Sequence, residues 1–123
     1  ENGHDTLRLC DNGSVHHRTA ALADLPAMRA YHLVPAGATK KGAVARHMQI
    51  RGYRPEDCLS VGDGREDLDV ADCVGQTWVV ANALHADPQI EGLVRARGNA
   101  RLAEASNGAG VYEAVITALA EQR

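Results

Sequence analysis

A chain of 123 residues is long enough for one domain with a single hydrophobic core and too short for two. Its apolar fraction of 45%, charged fraction of 24% and net charge of −3 match an ordinary globular protein and leave no basic footprint for DNA or RNA. No apolar run is long enough to span a membrane, and no signal-peptide pattern opens the chain. Aromatic residues are confined to Tyr31, Tyr53, Trp78 and Tyr112. The core must therefore be built from Ala, Val, Leu and Ile, which favours helix-on-sheet packing and denies single-stranded nucleic acid a stacking platform. Cys10, Cys58 and Cys73 form no Cys-x-x-Cys pair and read as reduced thiols, so a cytoplasmic protein is expected. The first residue is Glu1 rather than Met, which raises the expectation of a fragment or a processed product.

In chain order, residues 1–28 are polar and irregular, with turn signals at Asn2-Gly3 and Asn12-Gly13, and are open between short strands and an arm. Residues 29–34 read as a strand ended by Pro35-Ala36-Gly37. Thr39 can cap a helix over 40–51, with Ala43, Val44 and Met48 at helical spacing, His47 as a further candidate for that face, and Gly52 as its stop. A turn at 54–57 leads to a buried-type strand over 58–61, closed by Gly62-Asp63-Gly64. A helix over 65–73, a strand over 77–81, a helix over 88–97 starting near Pro88, and a weaker strand over 101–104 follow. The last helix shows the plainest periodicity, with Val111, Val115, Ala118 and Leu119 on one face. Strands alternating with helices predict an α/β fold with a parallel sheet covered on both faces.

In such sheets ligands bind beyond the carboxyl ends of the strands. Asp63 stands at such an end between two glycines, and Asp67 lies one helical turn further on, so both carboxylates can face one crevice as oxygen ligands for Mg²⁺. Acidic residues at a helix start also serve simply as caps, and that reading stands beside the metal one. A nucleotide loop is weaker, because the glycine pattern lacks its third member. Lys40, beside Thr39 at a helix start, is unfavourable for the helix dipole, yet helix N-termini bind phosphate and an ammonium reinforces them. The bland alternative is a solvated lysine, which suits Lys41 at least as well. His4, His16 and His17 read as surface or tag-like, His32 and His47 as ordinary packing or surface residues, and His85, near Asp87, as a helix-start neighbour.

Pro35-Ala36-Gly37-Ala38-Thr39-Lys40 and Gly62-Asp63-Gly64-Arg65-Glu66-Asp67, in this order, resemble two segments of the haloacid-dehalogenase superfamily, in the group with a large α/β cap. Those segments are "Pro-x-Gly-x-x-Lys" and "Gly-Asp-x-x-Asn-Asp". Pro55-Glu56-Asp57, Val80-Ala81-Asn82-Ala83 and Ser106-Asn107-Gly108-Ala109-Gly110-Val111 are similar to further segments, so the resemblance covers residues 29–121. It implies a phosphatase chemistry in which an aspartate attacks phosphorus and a second aspartate two residues later acts as acid/base. Mg²⁺ and a lysine stabilise the charge. Carried over, Lys40 is that lysine, with Thr39 beside it at the phosphate, Asp63 is the metal ligand, and Asp67 ligates or orients metal-bound water.

Two departures stand out. Glu66 replaces the usual Asn, and the match to trehalose-phosphate phosphatases is only partial because Gly64 stands where they have Asp. The nucleophile Asp-x-Asp after an N-terminal apolar strand is missing: Asp67-Leu68-Asp69 lies in a predicted helix, and neither Asp5 nor Asp11 has the right context. The resemblance thus implies a partial Rossmann-like core over 37–123 preceded by a cap remnant and return strand over 1–36. It further implies a Mg²⁺-dependent phosphatase fragment for a small phosphorylated metabolite, a sugar phosphate among the candidates. Such a fragment is expected to be inactive alone. The alternative is a degenerate, non-catalytic module that binds phosphate or self-associates through open sheet edges.

Overall fold

Thr39 begins the first long helix in the way its sequence predicts. In the computed structural model, which describes residues 6–15, 19–25 and 27–122, its hydroxyl accepts the Gly42 N–H at 3.0 Å. Helix α1 (Lys40–Arg51) ends at Gly52, whose φ of 69° is the left-handed cap that glycine adopts without a Cβ penalty. His4, His16 and His17, the Asn2-Gly3 turn signal and Asp5 lie outside the described residues. The chain divides into two units, Glu1–Ala38 and Thr39–Arg123.

The first unit is a hairpin. Strand β1 (Leu7–Ser14) pairs antiparallel with β2 (Arg29–Pro35), Leu7 opposite Pro35 and Asp11 opposite Tyr31. The strand read from sequence at 29–34 is therefore not a member of the parallel sheet. Among the described residues only a short 3₁₀ turn, Ala20–Leu22, lies between the two strands, and a parallel pairing needs a longer crossover. Asn12-Gly13 is not a chain reversal but a bulge. Gly13 has φ 81° and donates its N–H to Asp11 Oδ1 at 2.8 Å, and the register shifts there. Asp11 is held by Arg29, whose Nε donates to Oδ2 at 3.0 Å, so its carboxylate pairs within the ladder.

The second unit is α/β. Strands β3 (Leu59–Gly62), β4 (Gln76–Val79) and β5 (Ala100–Leu102) form a parallel sheet in the order β3-β4-β5. Because side chains alternate across a strand, Val79 and Trp78 serve opposite faces. Val79 packs with Leu68 of α2 (Arg65–Leu68), Ala83 of α3 (Ala83–Ala86), and Ile90 and Val94 of α4 (Ile90–Arg95). Trp78 packs with Ala103 and with Ala114 of α5 (Asn107–Glu121). Helices thus cover both faces, and each fully buried Leu, Ile or Val contributes about 1.5–3 kcal/mol. Thr77, the buried polar residue, shares a 2.7 Å hydrogen bond with Ser60. Met48, Val70 and Val74 form a third cluster that anchors α1.

Three sequence expectations change. The helix expected over 65–73 is α2 followed by a 3₁₀ turn, Asp69–Asp72. The short helix α3 precedes the helix read from Pro88, and four residues are too few to display a period. The apolar face expected on α5 is packed only in part. Gly110 and Ala114 are buried and Ala118 is half-buried, while Val111, Val115 and Leu119 are exposed. A Cβ on Gly110 would come within 2.4 Å of the Ala105 carbonyl oxygen, so the helix approaches the β4 and β5 loops on its smallest side chains.

Candidate functional site

The carboxyl ends of β3 and β4, the turn after β5 and the start of α1 each supply residues to one region. Gly62 closes β3, and the chain turns through Asp63 and Gly64 into α2. A Cβ at Gly62 would lie 2.2 Å from Asp67 Cβ, so glycine is required for the Asp67 side chain to fold back over the turn. There Asp67 Oδ2 accepts the N–H groups of Asp63 and Gly64, both at 3.1 Å, satisfying donors that the helix leaves unpaired. The capping reading of this acidic residue is therefore realised.

The other oxygen of Asp67 does something capping does not require. Oδ1 accepts from Lys40 Nζ at 2.7 Å, across 27 residues of sequence. This explains a cation at the first position of α1, where the helix dipole alone disfavours it. Asp67 holds the Lys40 ammonium above its ordinary pKa of 10.5, burial opposes the shift, and the charges of Glu66 and Asp63 add to it. Lys40 is thus a fully charged ammonium with a 56% exposed side chain, tethered at one point and open on the others. Thr39 is committed as the cap acceptor for Gly42, and its O–H remains a donor.

The resemblance makes Lys40 the phosphate lysine and Asp63 and Asp67 its metal-side partners. The structure pairs Lys40 directly with Asp67, and Asp63 joins the group through its backbone N–H. The Asp63 carboxylate is exposed, and the Asn82 amide lies 3.5 Å from its Oδ2. Asn82 has no role in the sequence reading, although its segment carries part of the resemblance. The Arg65 guanidinium reaches Asp87 and Gln89 at 3.0 and 2.9 Å. It thereby depresses the Asp87 carboxyl below its usual value. A cavity of about 280 Å³ adjoins the pair, lined by Lys40, Asp67, Val44, Ser60, Val61 and Val70. A second cavity of similar size lies at the opposite ends of the strands against Glu56, Asp57 and Glu121, a lining that repels anions.

Among the described residues, no three His, Cys, Asp or Glu side chains converge as a closed metal cage. Mg²⁺ does not need one, since it keeps several waters and is bound through one or two carboxylates plus substrate phosphate. The exposed oxygens of Asp63 suit that hard cation, whereas those of Asp67 already accept three hydrogen bonds. Asp67-Leu68-Asp69, which alone in the chain has the Asp-x-Asp spacing, runs from α2 into the 3₁₀ turn, and Asp69 faces Arg97 at 3.0 Å. It presents no pair of carboxylates at a strand end.

Comparison with protein-family models, with curated proteins and with solved structures returned no match. Among the described residues, no helix is long and apolar enough to cross a membrane.

Proposed function

We propose that the chain supplies one wall of a haloacid-dehalogenase-type phosphatase site, acting on a small phosphorylated metabolite such as a sugar phosphate. The observation that carries this reading is the 2.7 Å pairing of Lys40 with Asp67 beside Asp63, at the carboxyl end of a parallel strand. That two segments singled out for this chemistry meet across 27 residues of sequence supports the reading.

Each residue then has a stated task. Lys40 offers its remaining N–H donors to a phosphoryl oxygen and offsets its charge. Asp67 tethers that ammonium and shapes the turn. Asp63 would hold Mg²⁺, which when bound would screen the negative charge of the phosphate. Thr39 would donate its hydroxyl to a phosphate oxygen while it accepts the Gly42 N–H. None of these is a nucleophile, so the covalent step needs an aspartate from another strand. With this chain as the only protein, a generic phosphate ester and Mg²⁺ should give no turnover, while calorimetry should detect weak Mg²⁺ binding that Asp63→Asn removes. Robust hydrolysis abolished by Asp63→Ala would contradict the one-wall reading, and Mg²⁺ binding indifferent to Asp63→Asn would contradict the assignment of the ligand.

The second reading, a non-catalytic module that self-associates, draws on the exposed apolar side of α5, where Tyr112, Ile116 and Leu119 are 69%, 46% and 54% exposed. Light scattering distinguishes it. A stable oligomer dispersed by Leu119→Lys favours this reading, and a monomer at high concentration excludes it.

A further inference from the structure

Asn82 stands on the turn after β4, the central strand, so its side chain has a neighbouring strand end on either hand. On one side its Oδ1 accepts the Asn107 N–H at 2.8 Å. Because only the oxygen of an amide can accept from an N–H, this bond fixes which way the group is turned. The NH₂ must then face the other side, where it lies 3.5 Å from Asp63 Oδ2. A carboxylate is the natural complement of a group that can only donate.

The turn is held from several directions. Ala81 donates its N–H to the Ala105 carbonyl at 3.0 Å, and the Asn82 carbonyl accepts from His85 at 3.2 Å. Asn107, at φ 52°, is the described non-glycine residue in the left-handed region, a conformation that asparagine tolerates better than most residues. Ser106 provides no side-chain cap for α5, so Asn82 takes that task from a different loop. The Glu113 carboxylate, back from α5, accepts the N–H groups of Glu104 and Ala105 at 3.0 and 2.9 Å. Asn82 is therefore a donor whose direction is set by α5 and the β5 loop rather than by its own rotamer preference.

We propose that Asn82 is a positioning residue. It holds Oδ2 of Asp63 so that Oδ1 is presented to the cation, and it ties that orientation to the start of α5. The inference rests on the phosphatase reading for the identity of the cation, but not for the contact itself. Partners that orient a metal-binding carboxylate typically change metal affinity by about 10- to 100-fold when removed.

Two measurements separate the inference from the reading beneath it. In amide-resolved NMR, Asp63→Ala, a change at an exposed residue, should shift the side-chain NH₂ resonance of Asn82 and leave the Asn107 backbone amide in place. An unmoved Asn82 side chain would overturn the proposal whether or not any metal binds. In Mn²⁺ titrations, Asn82→Ala should bind about 10-fold more weakly than the parent or worse, with the folded state checked by circular dichroism. Equal Mn²⁺ affinity in a folded Asn82→Ala variant would reduce Asn82 to a helix cap and overturn the positioning role. If the parent itself binds no Mn²⁺, the metal-site reading fails, and the NMR shift still decides the Asn82–Asp63 contact.

Discussion

At the residue scale, the arrangement turns on how few atoms Gly62 has. Asp67 can reach the Asp63 and Gly64 N–H groups and Lys40 only because nothing projects from the Gly62 Cα, where an added Cβ would meet Asp67 Cβ and Cγ at 2.2 and 2.3 Å. These are the stiff, near end of the side chain, so the clash cannot be relieved by a terminal rotation. Gly62→Ala should cost about 1–3 kcal/mol, the range for overpacking a tight site, and should also release Lys40 from Asp67. Chemical denaturation measures the first effect, and a downward shift of the Lys40 titration by NMR measures the second. An alanine variant of parental stability with an unshifted Lys40 would show that the turn has room the structure does not. Lys40, Asp63 and Asp67 were legible in the sequence, because a strand end, a helix start and a glycine pair are local patterns. Asn82 was not, because its partners lie 19 and 25 residues away and an amide carries no periodicity.

At the element scale, α5 shows where periodicity misleads. Its Val111, Val115 and Leu119 recur at helical spacing, yet the helix rests on Gly110 and Ala114, with Ala114 against Trp78 and Ala103. Close approach to the sheet requires small side chains, and a bulky aromatic on the strand takes up the volume they leave. Helix propensity alone predicts that Gly110→Ala stabilises α5 by about 1 kcal/mol. The contacts predict the opposite sign, since the new methyl would lie 2.4 Å from the Ala105 oxygen and 2.7 Å from Val80 Cγ1. A loss of about 1–3 kcal/mol is expected, read as a lower denaturation midpoint. A gain would mean that α5 is not seated as described. β1 realises the strand alternative that the sequence left open for residues 1–28, and local pattern could not decide it. Its Asp11-Asn12-Gly13 reads as a turn but is absorbed as a bulge inside a strand. The strand at 29–34 was placed correctly in the chain and wrongly in the sheet, because the pattern of one strand does not name its partner.

At the scale of the whole molecule, the α/β unit is laced by ion pairs that respond to acid. Lys41, then Arg97, depresses the Asp72 carboxyl below its ordinary 3.8. Arg65 depresses Asp87, Arg54 depresses Asp57, and Arg101 depresses Glu121. A carboxyl whose folded pKa is lowered contributes stability above its unfolded pKa, and that contribution is lost as pH falls through the folded value. Lys40 has the opposite sense: its raised pKa contributes below 10.5 and is lost as pH rises through the folded value. Stability should therefore hold across neutral pH and fall below about pH 4. The acid limb should be shallower in Asp72→Asn and at high salt, since these pairs are exposed. Thermal melts between pH 7 and pH 2 check this, and an Asp72→Asn variant with an unchanged acid limb would count against it. The parallel sheet with helices on both faces was legible from alternating short apolar runs. Its extent was not, since three strands pair in it among the described residues and the run at 29–34 pairs elsewhere.

As proposed, Lys40, Asp63 and Asp67 form one wall of a phosphate and Mg²⁺ site. An amide-resolved NMR titration of the intact chain with Mg²⁺ and then inorganic phosphate tests it most directly. Mg²⁺ should move the amides of Asp63 and Gly64, and phosphate should move those of Thr39 and Lys40, with the second response lost in Lys40→Met. Shifts confined to other parts of the chain, or a phosphate response that survives Lys40→Met unchanged, would contradict it.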